Sequence, residues 1–139
     1  MNIYEVIFKD KGKGYYFKIE NVFIPNKVTV IVETEKGLQF GRVVKKITDT
    51  SIKEEDIKNI IRIATKKDYE QYLKNLKDAE IALQTAREEA KKNKLNMNFI
   101  DASFTFDRKQ LLFNFYADQR VDFRELAKIL AAKYKTRIE

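Results

Sequence analysis

The sequence predicts an α+β fold: a small bent antiparallel sheet or partial barrel, a long amphipathic helix, then a β-hairpin covered by a C-terminal helix. Three observations carry this expectation. Residues 1–65 break into short apolar runs separated by turn residues. Residues 68–93 contain no Gly or Pro and repeat apolar side chains at helical spacing. Residues 98–117 alternate apolar and polar side chains around one short polar connection. The expected organisation is a small β lobe over 1–65, a long helix over 66–94, and a ββα unit over 95–139.

In the first lobe, "YEVIFK" (4–9) is followed by the turn-rich "DKGKG", then by "YYFKI" (15–19), "VTVIVET" (28–34) and "LQFGRVVKKI" (38–47). The "EKG" between the last two predicts a hairpin loop in which Gly37 supplies a positive φ. Gly41, inside its strand, predicts a bend or bulge that lets a small sheet curl. A fifth run, "IKNIIRIA" (57–64), closes or extends the sheet.

The helix starts at Asp68, an acceptable N-cap. Tyr69, Tyr72, Leu76, Ala79, Leu83, Ala86 and Ala90 form a narrow apolar seam flanked by Lys and Glu. The seam predicts docking within the molecule over the first half of the helix. Its alanine-rich second half is left to project from the body.

In "NFIDASFTF", Ile100, Ala102, Phe104 and Phe106 share one face of a strand. "DRKQ" (107–110) suits a type I turn with Asp at its start. The next strand, "LLFNFYA", puts Leu111, Phe113, Phe115 and Ala117 on one face. Pairing Phe106 with Leu111 matches apolar to apolar along the whole hairpin. Phe123, Leu126, Ala127, Leu130 and Tyr134 form the helical stripe that covers that face.

Asp122 with Glu125 reads as a capping box, and Val121 with Leu126 as a hydrophobic staple. Those roles leave Asp118, Arg120 and Arg124 unused. They are either solvated charges at a strand-to-helix turn or a surface that recognises a partner.

Chemistry is narrowed by what is absent. The chain has no His and no Cys, which excludes a Ser-His-Asp triad, a thiolate nucleophile and a typical zinc site. Carboxylates and lysines remain as the only catalytic option, so the chain reads as a non-enzyme without a cofactor of its own. No apolar run reaches the roughly 20 residues that span a bilayer. The start of the chain lacks the features of a signal peptide, so a cytoplasmic location is expected. The net charge of +7 raises the question of nucleic acid. Its excess is spread thinly, with a modest concentration in residues 1–47. The best RNA-binding candidate is "KDKGKGYYFK" (9–18), where Lys9, Lys11, Lys13 and Lys18 surround Tyr15 and its aromatic neighbours. The competing reading is a basic hairpin loop leading into a strand whose aromatics are core.

"FTFDRKQLLFNFYADQRVDFRELAKILAAKYKTRIE" (104–139) resembles the central motif of the bacterial YaaT (RicT) family, stage 0 sporulation proteins with the yeast Psp-type C-terminal domain. "GKGYYF" (12–17), "VIVETEKGLQFGRVV" (30–44) and "IRIAT" before a long charged helix occur in the family's order. The resemblance implies an adaptor rather than a catalyst. It implies two small helical partners, YlbF and YmcA, and an effect on ribonuclease Y-dependent mRNA processing and on the sporulation phosphorelay. It also implies an iron–sulfur cluster whose cysteines lie in a Cys-rich part not present in this chain. With no cysteine here, no ligand of that cluster can be assigned to any position. Family members are roughly twice this length, and "TRIE" falls where the family begins a strand. A helix followed by a β-like stub with no partner strand after it is expected of an N-terminal fragment.

Overall fold

The computed structural model describes residues 1–8, 12–49 and 51–139. They form two compact units, Met1–Glu70 and Gln71–Glu139.

The first unit is a five-stranded closed barrel of β1 (Asn2–Ile7), β2 (Tyr15–Ile19), β3 (Thr29–Thr34), β4 (Gly37–Ile47) and β5 (Lys58–Ile63). The strands close in the order β1-β2-β5-β3-β4. All neighbours are antiparallel except β2 and β5, which run parallel, a pairing that the expectation of an antiparallel sheet missed. Closure leaves no long unpaired edge. Alternation along each strand sends Tyr4, Val6, Phe17, Val30, Val32, Val43 and Ile60 inward, with Ile24 from a loop filling the interior. Tyr4 is fully buried, and its hydroxyl is satisfied twice. It accepts from the Ile24 N–H at 2.9 Å and donates to the Val22 carbonyl at 3.1 Å.

Gly37 has φ 129°, as the β3–β4 hairpin requires. Gly41 has a different role from the one expected. The bulge between β1 and β4 falls at Val44, where Glu5 pairs with Lys45 and Val6 with Val43. Gly41 instead makes room for β1, because a Cβ there would lie 2.5 Å from Val6 Cγ1.

Helix α1 (Lys66–Lys92) starts where the helical segment was expected to start, but its cap is Thr65 rather than Asp68. The Asp68 N–H donates to Thr65 Oγ1 at 3.2 Å, while the Thr65 N–H donates to Asp68 Oδ2 at 2.8 Å. This reciprocal pair satisfies two donors at the helix start. Arg62 of β5 grips both oxygens of Asp68, with Nη2 donating to Oδ1 at 3.0 Å and Nη1 donating to Oδ2. The Arg62 bond, with the Thr65 bonds beside it, holds the Asp68 carboxyl far below its ordinary value against the opposing effect of burial. The last strand of the barrel is thereby tied to the first turn of the helix.

The second unit packs α1 and α2 (Arg124–Tyr134) on one face of a three-stranded sheet. The sheet order is β6 (Asn98–Phe104), β7 (Gln110–Tyr116), β8 (Arg137–Ile138). The "TRIE" stub has a partner after all. It pairs parallel with β7, which precedes α2, matching Gln110 with Arg137 and Leu111 with Ile138.

The docking of α1 extends further than expected. Its first half is held by the buried Asp68 and Asn75, though Leu76 is 50% exposed, and its alanine-rich second half is packed rather than projecting, with Ala82, Leu83, Ala86 and Ala90 buried. The alanines pack in the same clusters as the sheet residues Phe99, Phe104 and Leu111, so alanine marks the contact rather than a free end. Near the middle of the helix, Asn75 and Asp78 hold the hairpin tip. Arg108 Nη1 donates to Asp78 Oδ2 at 2.8 Å, its guanidinium stacks 3.8 Å over the Phe104 ring, and Asn75 Nδ2 donates to the Phe106 carbonyl at 3.2 Å.

The hairpin register differs from the expected one by two residues. Phe104, not Phe106, faces Leu111, and Ala102 faces Phe113. The turn therefore begins at Thr105. Thr105 bonds across to Gln110 through N–H and Oγ1, and Arg108 adopts a left-handed φ of 64°. A bulge at Ile100 then inverts the alternation at the far end, so Phe99 is 6% exposed and Ile100 63%.

Two outcomes test these packing assignments. Ala86→Leu should cost about 1–3 kcal/mol by overpacking, and Leu76→Ala no more than about 0.5 kcal/mol, both read from urea melts. The opposite ranking would place the docked face on the other half of α1. Asp68→Asn should cost about 1 kcal/mol at pH 7, chiefly through loss of the Arg62 ion pair. A carboxyl held below its ordinary value of 3.8 stabilises fully above that pH and loses its effect as pH falls toward the depressed value. The gap between parent and Asp68→Asn should therefore close on acidification below pH 4, and a constant gap would show that the ion pair is not its source.

Candidate functional site

The segment joining β7 to α2 carries the three charges that the sequence left without a structural role. Its setting is a row of aromatic rings running from the core to the surface. Phe113 and Phe115 of β7 lie 5.6 and 5.9 Å from the Phe99 ring, and Phe115 lies 5.8 Å from Phe123. Phe99 is buried, whereas Phe123 at the end of the row is 47% exposed. Phe123 is not the first residue of the buried stripe, as its spacing suggested. It occupies the N-cap position of α2, with φ −104° and ψ 12°, and turns outward. Only Leu126 and Leu130 of that helix are fully buried.

The expected capping box does not form. No side chain caps α2 at Phe123. Asp122, one residue earlier, accepts from the Arg124 N–H at 3.2 Å, in an Asx-type turn. The same carboxylate accepts from Arg124 Nε at 3.0 Å and Nη2 at 2.8 Å. The Arg124 side chain and backbone together hold the Asp122 carboxyl down to about 2. Glu125 takes no part in this arrangement among the described hydrogen bonds.

Asp118, Arg120 and Arg124 thus have three different situations. Asp118 accepts a hydrogen bond from the Tyr116 hydroxyl at 2.7 Å, which raises the tyrosine's pKa. Arg124 is highly exposed but paired with Asp122 within its own turn. Arg120 is exposed and has no ion pair among the described residues. The three do not converge on one atom. Phe115 and Phe123 lie together at the exposed end of the ring row, beside Arg124 in sequence, while Tyr116, the next residue along β7, points to the opposite face of the sheet with Asp118 bonded to it. Sequence reasoning missed Phe115 and Phe123 as surface residues, because spacing alone assigned them to the core. Arginine and aromatic side chains together on an exposed patch match the composition of protein interfaces.

The second candidate lies in the barrel unit. Lys9 and Lys11 fall outside the described residues. Lys13 Nζ stands 5.6 Å from the Tyr15 ring centre, while Lys18 Nζ donates to the Glu54 carbonyl at 2.6 Å. Phe17 is core, but Tyr15 and Tyr16 are both exposed. Among the described residues, no group of three or more acidic side chains converges as a metal site, and no helix is long and apolar enough to cross a membrane.

The chain's sequence relatives bear on both units. Residues 58–139 match the PSP1 C-terminal conserved region. Stage 0 sporulation protein YaaT of Bacillus subtilis is 39% identical over 142 residues, covering 99% of this chain and 51% of that protein. An uncharacterized protein of Schizosaccharomyces pombe is 31% identical over 144 residues, covering 99% of this chain and 19% of its own length. Protein PSP1 of Saccharomyces cerevisiae is 51% identical over 47 residues, or 34% of this chain and 6% of that protein. The chain spans about half the length of YaaT and smaller shares of the two yeast proteins. No solved structure matches it significantly. The similarity to YaaT runs through the barrel as well as the ββα unit, in agreement with the motifs at 12–17, 30–44 and 104–139. With the conserved region covering more than half of its length, the chain belongs to the PSP1 C-terminal family.

Proposed function

We propose that this chain is a non-catalytic adaptor of the YaaT type, working in the cytoplasm on sporulation signalling and on ribonuclease Y-dependent mRNA processing, with YlbF and YmcA as its protein partners. The observation that carries the reading is the 39% identity to stage 0 sporulation protein YaaT across 99% of the chain. The surface at the β7–α2 junction supports it. Phe115 and Phe123 are exposed together there, with Arg124 next in sequence and Arg120 exposed in the same segment. Rigid aromatic anchors with an arginine nearby are what binding hot spots are built from.

Phe123 and Arg120 separate the adaptor reading from a merely structural one. Arg120 is exposed, so Arg120→Gln should change stability by no more than about 0.5 kcal/mol, while Phe123→Ala removes the ring contact with Phe115 and should cost about 1 kcal/mol. At an interface hot spot the same changes cost 2 kcal/mol or more of binding, a loss of about thirtyfold. The expected outcome is capture of the YlbF–YmcA pair weakened by that factor, with melting unchanged for Arg120→Gln and only slightly lowered for Phe123→Ala. Capture that is unaffected by both substitutions would return the segment to a solvated turn.

A further inference from the structure

Helix α1 carries a second apolar stripe that its own sheet does not use. Leu73 and Leu76 are three residues apart, which makes them neighbours on the helix surface, and they are 45% and 50% exposed. The buried stripe of Ala82, Leu83, Ala86 and Ala90 lies further along the helix and packs without them. Leucine has no better helix propensity than lysine or glutamate, so propensity does not account for two leucines in water. Charged residues border the stripe. Glu70 lies three residues before Leu73, and Lys77 directly follows Leu76. Both are exposed, and neither makes an ion pair among the described residues. The helix runs unbroken from Lys66 to Lys92, so its geometry alone fixes these four side chains relative to one another.

This pattern complements itself when one copy is turned end for end. In a heptad, Leu73 and Leu76 occupy positions a and d, while Glu70 and Lys77 both occupy e. Antiparallel helices pack a of one beside d of the other, and their e positions face each other along one side. Setting Leu73 against Leu76 of a second copy therefore brings Glu70 beside Lys77 of that copy. The two-fold axis repeats both contacts. A parallel pair would set e against g, and the g positions are Tyr72 and Ala79, which carry no charge. We propose that two copies of this chain associate antiparallel through this stripe, with the leucines in contact and a Glu70–Lys77 pair at each end. The stripe is short compared with a standard interface, so the dimer is weak, half-formed at about 0.5 mM. It is independent of the adaptor reading.

Sedimentation equilibrium of the 139-residue chain over about 0.05–1 mM should show monomer passing into dimer. Leu73→Ser should weaken association at least about tenfold, with melting nearly unchanged because the side chain is exposed. Glu70→Lys sets lysine against lysine, and Lys77→Glu sets glutamate against glutamate, so each should weaken association about fivefold. Combining the two restores opposite charges across the axis and should return association to within about twofold of the parent, a recovery that unfolding cannot mimic. A chain still monomeric at about 1 mM overturns the proposal. So does a dimer indifferent to Leu73→Ser, and so does a double variant that associates no more tightly than either single one.

Discussion

The ββα unit depends on the contact between α1 and its sheet. Ala79, Ala82, Ala86 and Ala90 place methyl groups where larger side chains would hold the helix away. Leu83 fills the remaining space between them, and Phe99, Leu126 and Leu130 complete the same cluster. Once that contact forms, the helix reaches the hairpin tip with Asn75 and Asp78, and the tip is locked by Arg108. A hairpin alone is marginal in water, and the helix is what makes it stable. The position of α2, and with it the exposed junction before α2, follows from this packing.

The barrel has a separate source of stability, the filling of a closed five-stranded interior by alternating side chains. Its connection to α1 is local and electrostatic. Arg62, Thr65 and Asp68 set the helix start at the end of the last barrel strand. Each unit is therefore stabilised by its own core, with no shared constellation required.

Much of this was legible in the sequence because it follows from period and turn chemistry. The five barrel strands, the Gly37 hairpin, the long helix and the final ββα order all appear where apolar spacing put them. The parts that were not legible share a cause. The shift from Phe106 to Phe104 opposite Leu111 comes from Thr105, whose hydroxyl closes the turn two residues early. The bulge at Ile100 cannot be read from an alternation that looks unbroken through Phe106. Asp68 and Asp122 both looked like N-caps, yet each serves a neighbour's guanidinium, and only the fold brings Arg62 to Asp68. The packing of the alanine seam is not legible from side-chain hydrophobicity, because each methyl group contributes little of it while still fitting against the sheet. At the candidate surface, the charges 118–124 were visible in advance. Their aromatic setting was not, since the outward turn of Phe123 depends on where α2 begins.

If the β7–α2 junction is the contact surface of an adaptor, amide hydrogen exchange across the chain, compared with and without the YlbF–YmcA pair, reads it without altering any residue. Slowed exchange should be concentrated between Phe115 and Arg124, with the buried second half of α1 unchanged. Slowed exchange confined to Met1–Glu70, or none anywhere, would contradict it.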